Sequence, residues 1–141
     1  MPFNLDHLCR QLVTQAPDAI VYADDQGLIQ LWNAGAERIF GYPEAEALGQ
    51  SLDIIIPENQ RQRHWEGFGR TLATGVTRYG AESLLSVPAI RKDGSRVSVE
   101  FTILPFHDEG GRILGMAAIM RDVTARFEEL KALRKRVAGL P

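Results

Sequence analysis

Few side chains in this sequence are of a type that could do chemistry, and they are scattered. The one cysteine, Cys9, permits neither an internal disulfide nor a CxxC metal knuckle. Three histidines stand far apart. His7 and His107 read as solvated, one on a helix face and one in a turn. His64 lies in a helical stretch beside Arg61 and Arg63. In that pattern it reads as a surface residue of the helix. Asp24-Asp25 and Asp108-Glu109 sit in turn-forming stretches with no further ligand at a metal-binding spacing. Ser51, Ser83, Ser86, Ser95 and Ser98 lack a nucleophile-elbow context. Gly67-x-Gly69 lies inside a helical pattern, so it is no phosphate loop. Its glycines read as sites where a strand or a flat ligand comes close. No catalytic constellation emerges, and the expectation is a protein that is not an enzyme. Asp122-x-Thr124 differs in kind: its side chains can cap a helix and tie a strand end to its neighbours.

The chain that must position these groups has 141 residues, enough for one domain with one core. Hydrophobic residues make up 45% and charged residues 24%, as in an ordinary soluble globular protein. A net charge of −2 argues against a general nucleic-acid or anionic-membrane binder. No apolar run approaches the roughly 18 residues that span a bilayer. The N-terminus lacks the basic-then-apolar pattern of a secretory signal, so a cytoplasmic location is expected.

Residues 4–15 read as an amphipathic helix, with Leu5, Leu8, Leu12 and Val13 on one face, Asn4 as cap and Pro17 as stop. Ala19–Asp24 and Leu28–Trp32 read as strands of a hairpin turning at Asp25–Gly27. Asn33 caps a helix that Gly41 ends. Short helical turns follow at Pro43–Leu48 and from Ser51, then a longer helix over Glu58–Ala73. Arg78–Ile90, Arg96–Phe106 and Ile113–Asp122 read as strands of an antiparallel meander, and the chain turns helical again from Thr124. This is an α+β layout: a five-stranded antiparallel sheet with short helices on one face and amphipathic helices at both ends. The expected organisation is a helix over 1–16, a core over 17–124 and a signalling, coiled-coil-like helix over 125–141.

Across residues 16–126 the sequence resembles a PAS sensory domain. The likeness rests on several phrases in order. Pro17-Asp18-Ala19-Ile20 with Asp24-Asp25-Gln26-Gly27 resembles the opening strand and turn. Leu31-Trp32-Asn33-Ala34-Gly35-Ala36-Glu37 matches the entry to the first short helix. Phe40-Gly41-Tyr42, Glu44, Glu46 and Leu48-Gly49 follow. Arg91-Lys92-Asp93-Gly94 is the usual turn, and Asp122-Val123-Thr124 the closing strand-to-helix junction. The resemblance implies a ligand or cue held between sheet and helices, with output through Asp122 and Thr124 into the last helix.

PAS domains hold haem, flavin, small metabolites or nothing. The position of Cys9 excludes thiol-based flavin photochemistry. The stretch from Arg63 to Gly75 is similar to the haem-bearing helix of rhizobial oxygen-sensor histidine kinases. That likeness implies His64 as axial ligand of a b-type haem, spaced as the family's ligand is from Ala73-Thr74-Gly75. It also implies Arg70 and Arg78 as propionate partners. The family's distal arginine falls near Leu84 or Leu85, so the distal side is apolar, lined by Leu85, Phe101, Ile103 and Met116. Such a lining suits carbon monoxide or nitric oxide as well as oxygen. A b-type haem, an unknown small ligand and no ligand all stay open at this point.

At the C-terminal end, Val123, Phe127, Leu130, Leu133 and Val137 form one apolar stripe, as in a coiled-coil seam, with charged flanks. The alternative is a helix folded back on its own sheet. Together with the N-terminal stripe it suggests a homodimer through the terminal helices. A gas-sensing signalling domain that passes its state to a downstream effector is the leading expectation. A ligand-free PAS module for dimerisation or protein interaction is the alternative.

Overall fold

The computed structural model describes residues 2–76 and 85–141, and no side chain at Leu85. The elements run in the order α1 (Leu5–Gln15), β1 (Ala19–Asp24), β2 (Ile29–Trp32), α2 (Ala34–Phe40), α3 (Glu44–Ala47), α4 (Arg61–Thr74), β3 (Leu85–Ile90), β4 (Arg96–His107), β5 (Ile113–Asp122) and α5 (Thr124–Ala138). Two single 3-10 turns, Leu52–Ile55 and Glu58–Gln60, stand between α3 and α4. The strands form one sheet in the order β2-β1-β5-β4-β3, antiparallel throughout. The expected meander is present, and pairing of β1 with β5 brings the N-terminal hairpin against the last strand.

Local chemistry sets most boundaries. The Asn33 side chain accepts from the Ala36 amide at 2.9 Å and opens α2. Gly41, at φ +82°, closes that helix in the left-handed conformation that a side chain disfavours. Strand β2 begins at Ile29 rather than Leu28, which makes an isolated bridge to Ser51 instead. The longer helix begins at Arg61 rather than Glu58. Pro57 offers no capping side chain, and the chain enters through the tighter 3-10 turn. Of the strand expected from Arg78, residues 78–84 lie outside the described part.

The inner face of the sheet carries the core. Trp32, Phe40, Ile29, Val21, Val97 and Val99 are its largest fully buried non-proline side chains. The Trp32 and Phe40 rings lie 5.6 Å apart, and Trp32 Nε1 donates to the Tyr42 carbonyl at 2.9 Å. Helix α2 packs on this face through Ala36, Ile39 and Phe40. Its close seat depends on Gly35, where a Cβ would stand 2.1 Å from the Asp18 carbonyl oxygen.

Candidate functional site

The sequence-singled residues fall into two groups at opposite ends of the inner face. The first group is built around α4. His64 and Phe68, one turn apart, flank Trp65, with ring centroids 6.0 Å apart for His64–Phe68 and 4.6 Å for His64–Trp65. Trp65 is fixed at two points. Its Nε1 donates to Asp53 Oδ1 at 2.7 Å. Its six-membered ring lies over Gly27, where a Cβ would come within 2.3 Å of the ring. Gly27 also has φ +75°, so the β1–β2 turn and the seat of α4 both need a glycine there. His64 Nδ1 is buried and is an unpartnered buried side-chain polar atom among the described residues. Burial lowers the His64 pKa below its ordinary value, against the pull of the Asp53 charge. Burial therefore favours the neutral imidazole. It is not the fully solvated surface residue that its arginine neighbours suggested.

The inner face of the sheet supplies an apolar wall. Cross-strand register places Phe101 against Met120, Ile103 against Ala118 and Pro105 against Met116, all on the inner face. Leu85 pairs with Phe101, which puts it at the same level. Val97 and Val99 are sealed, whereas Phe101 and Ile103 farther along β4 are only half-buried. Met116 is buried on β5. Phe101, Ile103, Met116 and the Leu85 position thus share one wall. Arg70 lies exposed on α4, and Arg78 lies outside the described residues. The Gly67-x-Gly69 reading is narrowed. A Cβ at either glycine would meet nothing within 4 Å among the described residues, so no described strand approaches them and the space beside both is open.

The residues present fit a flat, iron-bearing group in kind. An imidazole whose Nδ1 is buried without a partner stands among aromatic rings, an apolar wall is present, and an exposed guanidinium stands on the same helix.

The second group is the β5–α5 junction. Asp122 Oδ1 accepts from the Thr124 amide at 2.9 Å and from its hydroxyl at 2.6 Å. Thr124 Oγ1 accepts from the Ser98 amide of β4 at 3.0 Å. Asp122 Oδ2 pairs with an Arg91 guanidinium nitrogen at 3.5 Å. Arg91 donates through Nε to the Ile39 carbonyl of α2 at 3.2 Å, and through Nη1 to Ser95 Oγ and the Arg96 carbonyl at 3.1 Å each. One side chain therefore joins the end of α2, the β3–β4 turn and the start of α5. Burial pushes the Asp122 pKa up, but its bonds to Thr124 and the charge of Arg91 outweigh this and hold the carboxyl below the usual value.

Sequence reasoning singled out Asp122, Thr124 and His64 as candidates, but not the contacts that Arg91, Ser98, Trp65 and Asp53 make with them. Arg91 stood in view as the first residue of a turn phrase, and its reach to Ile39 spans 52 positions. Trp65 carried a signal only in hindsight, as a large aromatic requiring a glycine opposite it.

A family profile described as the PAS fold matches residues 13–128. The chain belongs to the PAS family. The sensor protein FixL of Bradyrhizobium diazoefficiens is 31% identical to this PAS chain over 129 residues, covering 87% of the chain and 25% of FixL. The oxygen sensor protein DosP of Escherichia coli is 24% identical over 120 residues, covering 85% of the chain and 15% of DosP. The chain thus spans a quarter or less of these two relatives. The crystal structure of a PAS domain from Colwellia psychrerythraea superposes with a TM-score of 0.76 at 23% identity, covering 86% of this chain and 99% of that one. That likeness is one of fold.

Proposed function

We propose that this PAS domain is a sensory signalling module whose cue is a diatomic gas on a b-type haem, held between α4 and the inner face of the sheet. The observation that carries this reading is the half-buried imidazole of His64, its Nδ1 without a partner and its pKa lowered by burial, set among Trp65 and Phe68. His64 would hold the iron, Arg70 and Arg78 would face the propionates, and Leu85, Phe101, Ile103 and Met116 would line the distal side. Haem, when bound, supplies an iron centre for the gas. The similarity to FixL and DosP supports the reading.

The rest is done by the chain. Asp53 and Gly27 hold Trp65, so a shift of α4 pulls on the β1–β2 turn and through β1 on β5. At the other end of β5, Asp122 and Thr124 set the direction of α5, and Arg91 ties them to α2. The output is a change in α5, read by a downstream signalling protein or effector domain in a homodimer joined through the terminal helices. The first residue of the α5 stripe, Val123, is buried, while Phe127, Leu130, Leu133 and Val137 stay exposed for a partner.

The absorption spectrum of the purified chain, as isolated and after titration with haem, tests the cue. A Soret band that His64→Ala abolishes supports the reading. A colourless protein that takes up no haem overturns it and favours the ligand-free interaction module.

A further inference from the structure

Helix α5 is tied to the sheet only at its start. Val123 is buried, Thr124 bonds to Ser98 and Arg126 to Glu100, and no residue of the helix itself is buried. Beside it runs a groove of about 870 Å³, lined by Phe127, Leu130, Lys131 and Arg134 of α5 and by Ser86 and Glu100 of the sheet. Phe127 is 42% exposed and Leu130 47%, so the groove offers apolar surface to another molecule.

The spacing along α5 says what shape fits, and the charges say what chemistry. Val123, Phe127, Leu130, Arg134 and Val137 are separated by four, three, four and three residues. That is the repeat of about 3.5 residues that packs one helix along another, and here an arginine holds one of its inner positions. At about 100° per residue, Arg126 and Lys131 fall within about 80° of the centre of this seam. Glu128 and Glu129 fall about 120° or more away from it, and neither lines the groove. Glu100 neutralises Arg126 at 2.8 Å. Among the described residues, Lys131 and Arg134 form no ion pair. A second copy of α5 does not meet these charges. Set parallel, it brings Arg134 against Arg134. Set antiparallel, it still brings only cations, because no carboxylate of α5 stands beside the seam. Like charges facing each other across an interface cost affinity.

We propose that this groove takes an acidic amphipathic helix of a different protein or domain, with apolar residues in the same repeat and a carboxylate opposite Arg134. The proposal rests on the reading of α5 as the output helix and names what that helix meets: an acidic helix of the effector rather than α5 of its own copy. The planar guanidinium of Arg134 can hold a carboxylate on two N–H groups, and the ammonium of Lys131 meets a second at the rim. Apolar side chains of the partner cover Phe127 and Leu130, as in other helix-in-groove contacts. One paired charge inside an otherwise apolar seam also fixes its register. The fifteen residues of α5 span about 22 Å, so a partner helix of about four turns covers them.

Binding of two fluorescein-labelled synthetic peptides to the full chain, read by anisotropy, tests this. Both are amphipathic helices with leucine in the same repeat. In one, the flanking positions and a single inner position are glutamate; in the other they are lysine. The glutamate peptide should bind about tenfold or more tightly than the lysine peptide. Lys131→Glu with Arg134→Glu, its fold checked by circular dichroism, should reverse that order. Arg136→Glu, the same charge change away from the seam, should leave the order as it is. Equal binding of the two peptides, or a preference that survives the Lys131 and Arg134 changes, overturns the proposal. So does a chain that takes a peptide of residues 122–141 more tightly than the glutamate peptide. Binding of neither peptide overturns it too, whether or not the chain then binds vesicles of anionic phospholipid. Selective binding that haem and gas leave unchanged supports the groove and overturns the reading of α5 as the output.

Discussion

The two ends of the inner face are built on different principles. At the β5–α5 end, apolar side chains are sealed and the polar ones are bonded across several elements: Val97 and Val99 are buried, and Arg91 alone reaches α2, the β3–β4 turn and Asp122. At the α4 end the wall residues Phe101 and Ile103 are half-buried, the helix is tied by Trp65 to Asp53 and by Arg61 to the Ile56 and Asp53 carbonyls, and a buried imidazole nitrogen has no partner. The first end is sealed and cross-bonded, and the second leaves its wall half open. A domain that must report a small event needs both, because a shift at a loosely held helix is transmitted only through a framework that does not yield. The two tryptophans fall one to each end, Trp32 in the sealed half and Trp65 on α4, so each half carries its own fluorescent reporter.

The largest expected effect breaks the sealed half. Trp32→Ala removes a fully buried ring and the bond to the Tyr42 carbonyl, and should cost about 3–5 kcal/mol in urea denaturation. Trp65→Phe, by contrast, should cost far less while leaving the Trp32 signal unchanged. Equal losses from the two would erase the distinction between the ends.

Gly27→Ala acts on the looser end alone. The new Cβ meets the Trp65 ring and the backbone keeps a positive φ, so a loss of about 2 kcal/mol is expected. In a Trp32→Phe background, the emission of Trp65 should shift to the red as its ring leaves the turn. Trp65 emission that stays put would mean that the helix does not depend on this seat.

Asp122→Ala tests the wiring of the output end, with an expected loss of about 1–2 kcal/mol and faster amide exchange in the first turn of α5. The wild type should carry the same contribution as a pH effect. Because the folded carboxyl has the lower pKa, its stabilisation is present above the unfolded value of about 4 and fades as pH falls through the folded one. The variant should lack that part of the acid limb.

Most of the fold was legible because its signals are local. Alternation along β4, the Asn33 cap and the glycine stops each act within a few residues, and the order of elements followed. The Asp122–Thr124 junction was legible for the same reason: the spacing that makes the cap is two residues long. What joins the junction to the rest was not, because Arg91 meets Ile39 and Asp122 only after the sheet has closed. The state of His64 was equally hidden. Its flanking arginines describe the outer side of the helix, and its burial depends on Trp65 being drawn toward Gly27 and Asp53. Register decided the lining: Phe101, Ile103 and Met116 were named for being apolar, and only pairing places them on one wall.

The smallest effect concerns His64 itself. A buried imidazole nitrogen without a partner opposes folding, so an apolar side chain of similar size should be tolerated. His64→Leu should change stability at pH 7.5 by less than about 1 kcal/mol, in either direction. The pH dependence separates this from a silent surface change. The folded pKa is depressed, so the unfolded chain binds the proton first. Stability is present above the unfolded value of about 6.5 and is lost as pH falls from there through the folded pKa. In denaturant titrations from pH 7.5 to 5, the wild type should lose stability where His64→Leu does not. Parallel curves would mean that the imidazole is solvated, and the α4 end would then be no more than a thinner copy of the sealed one.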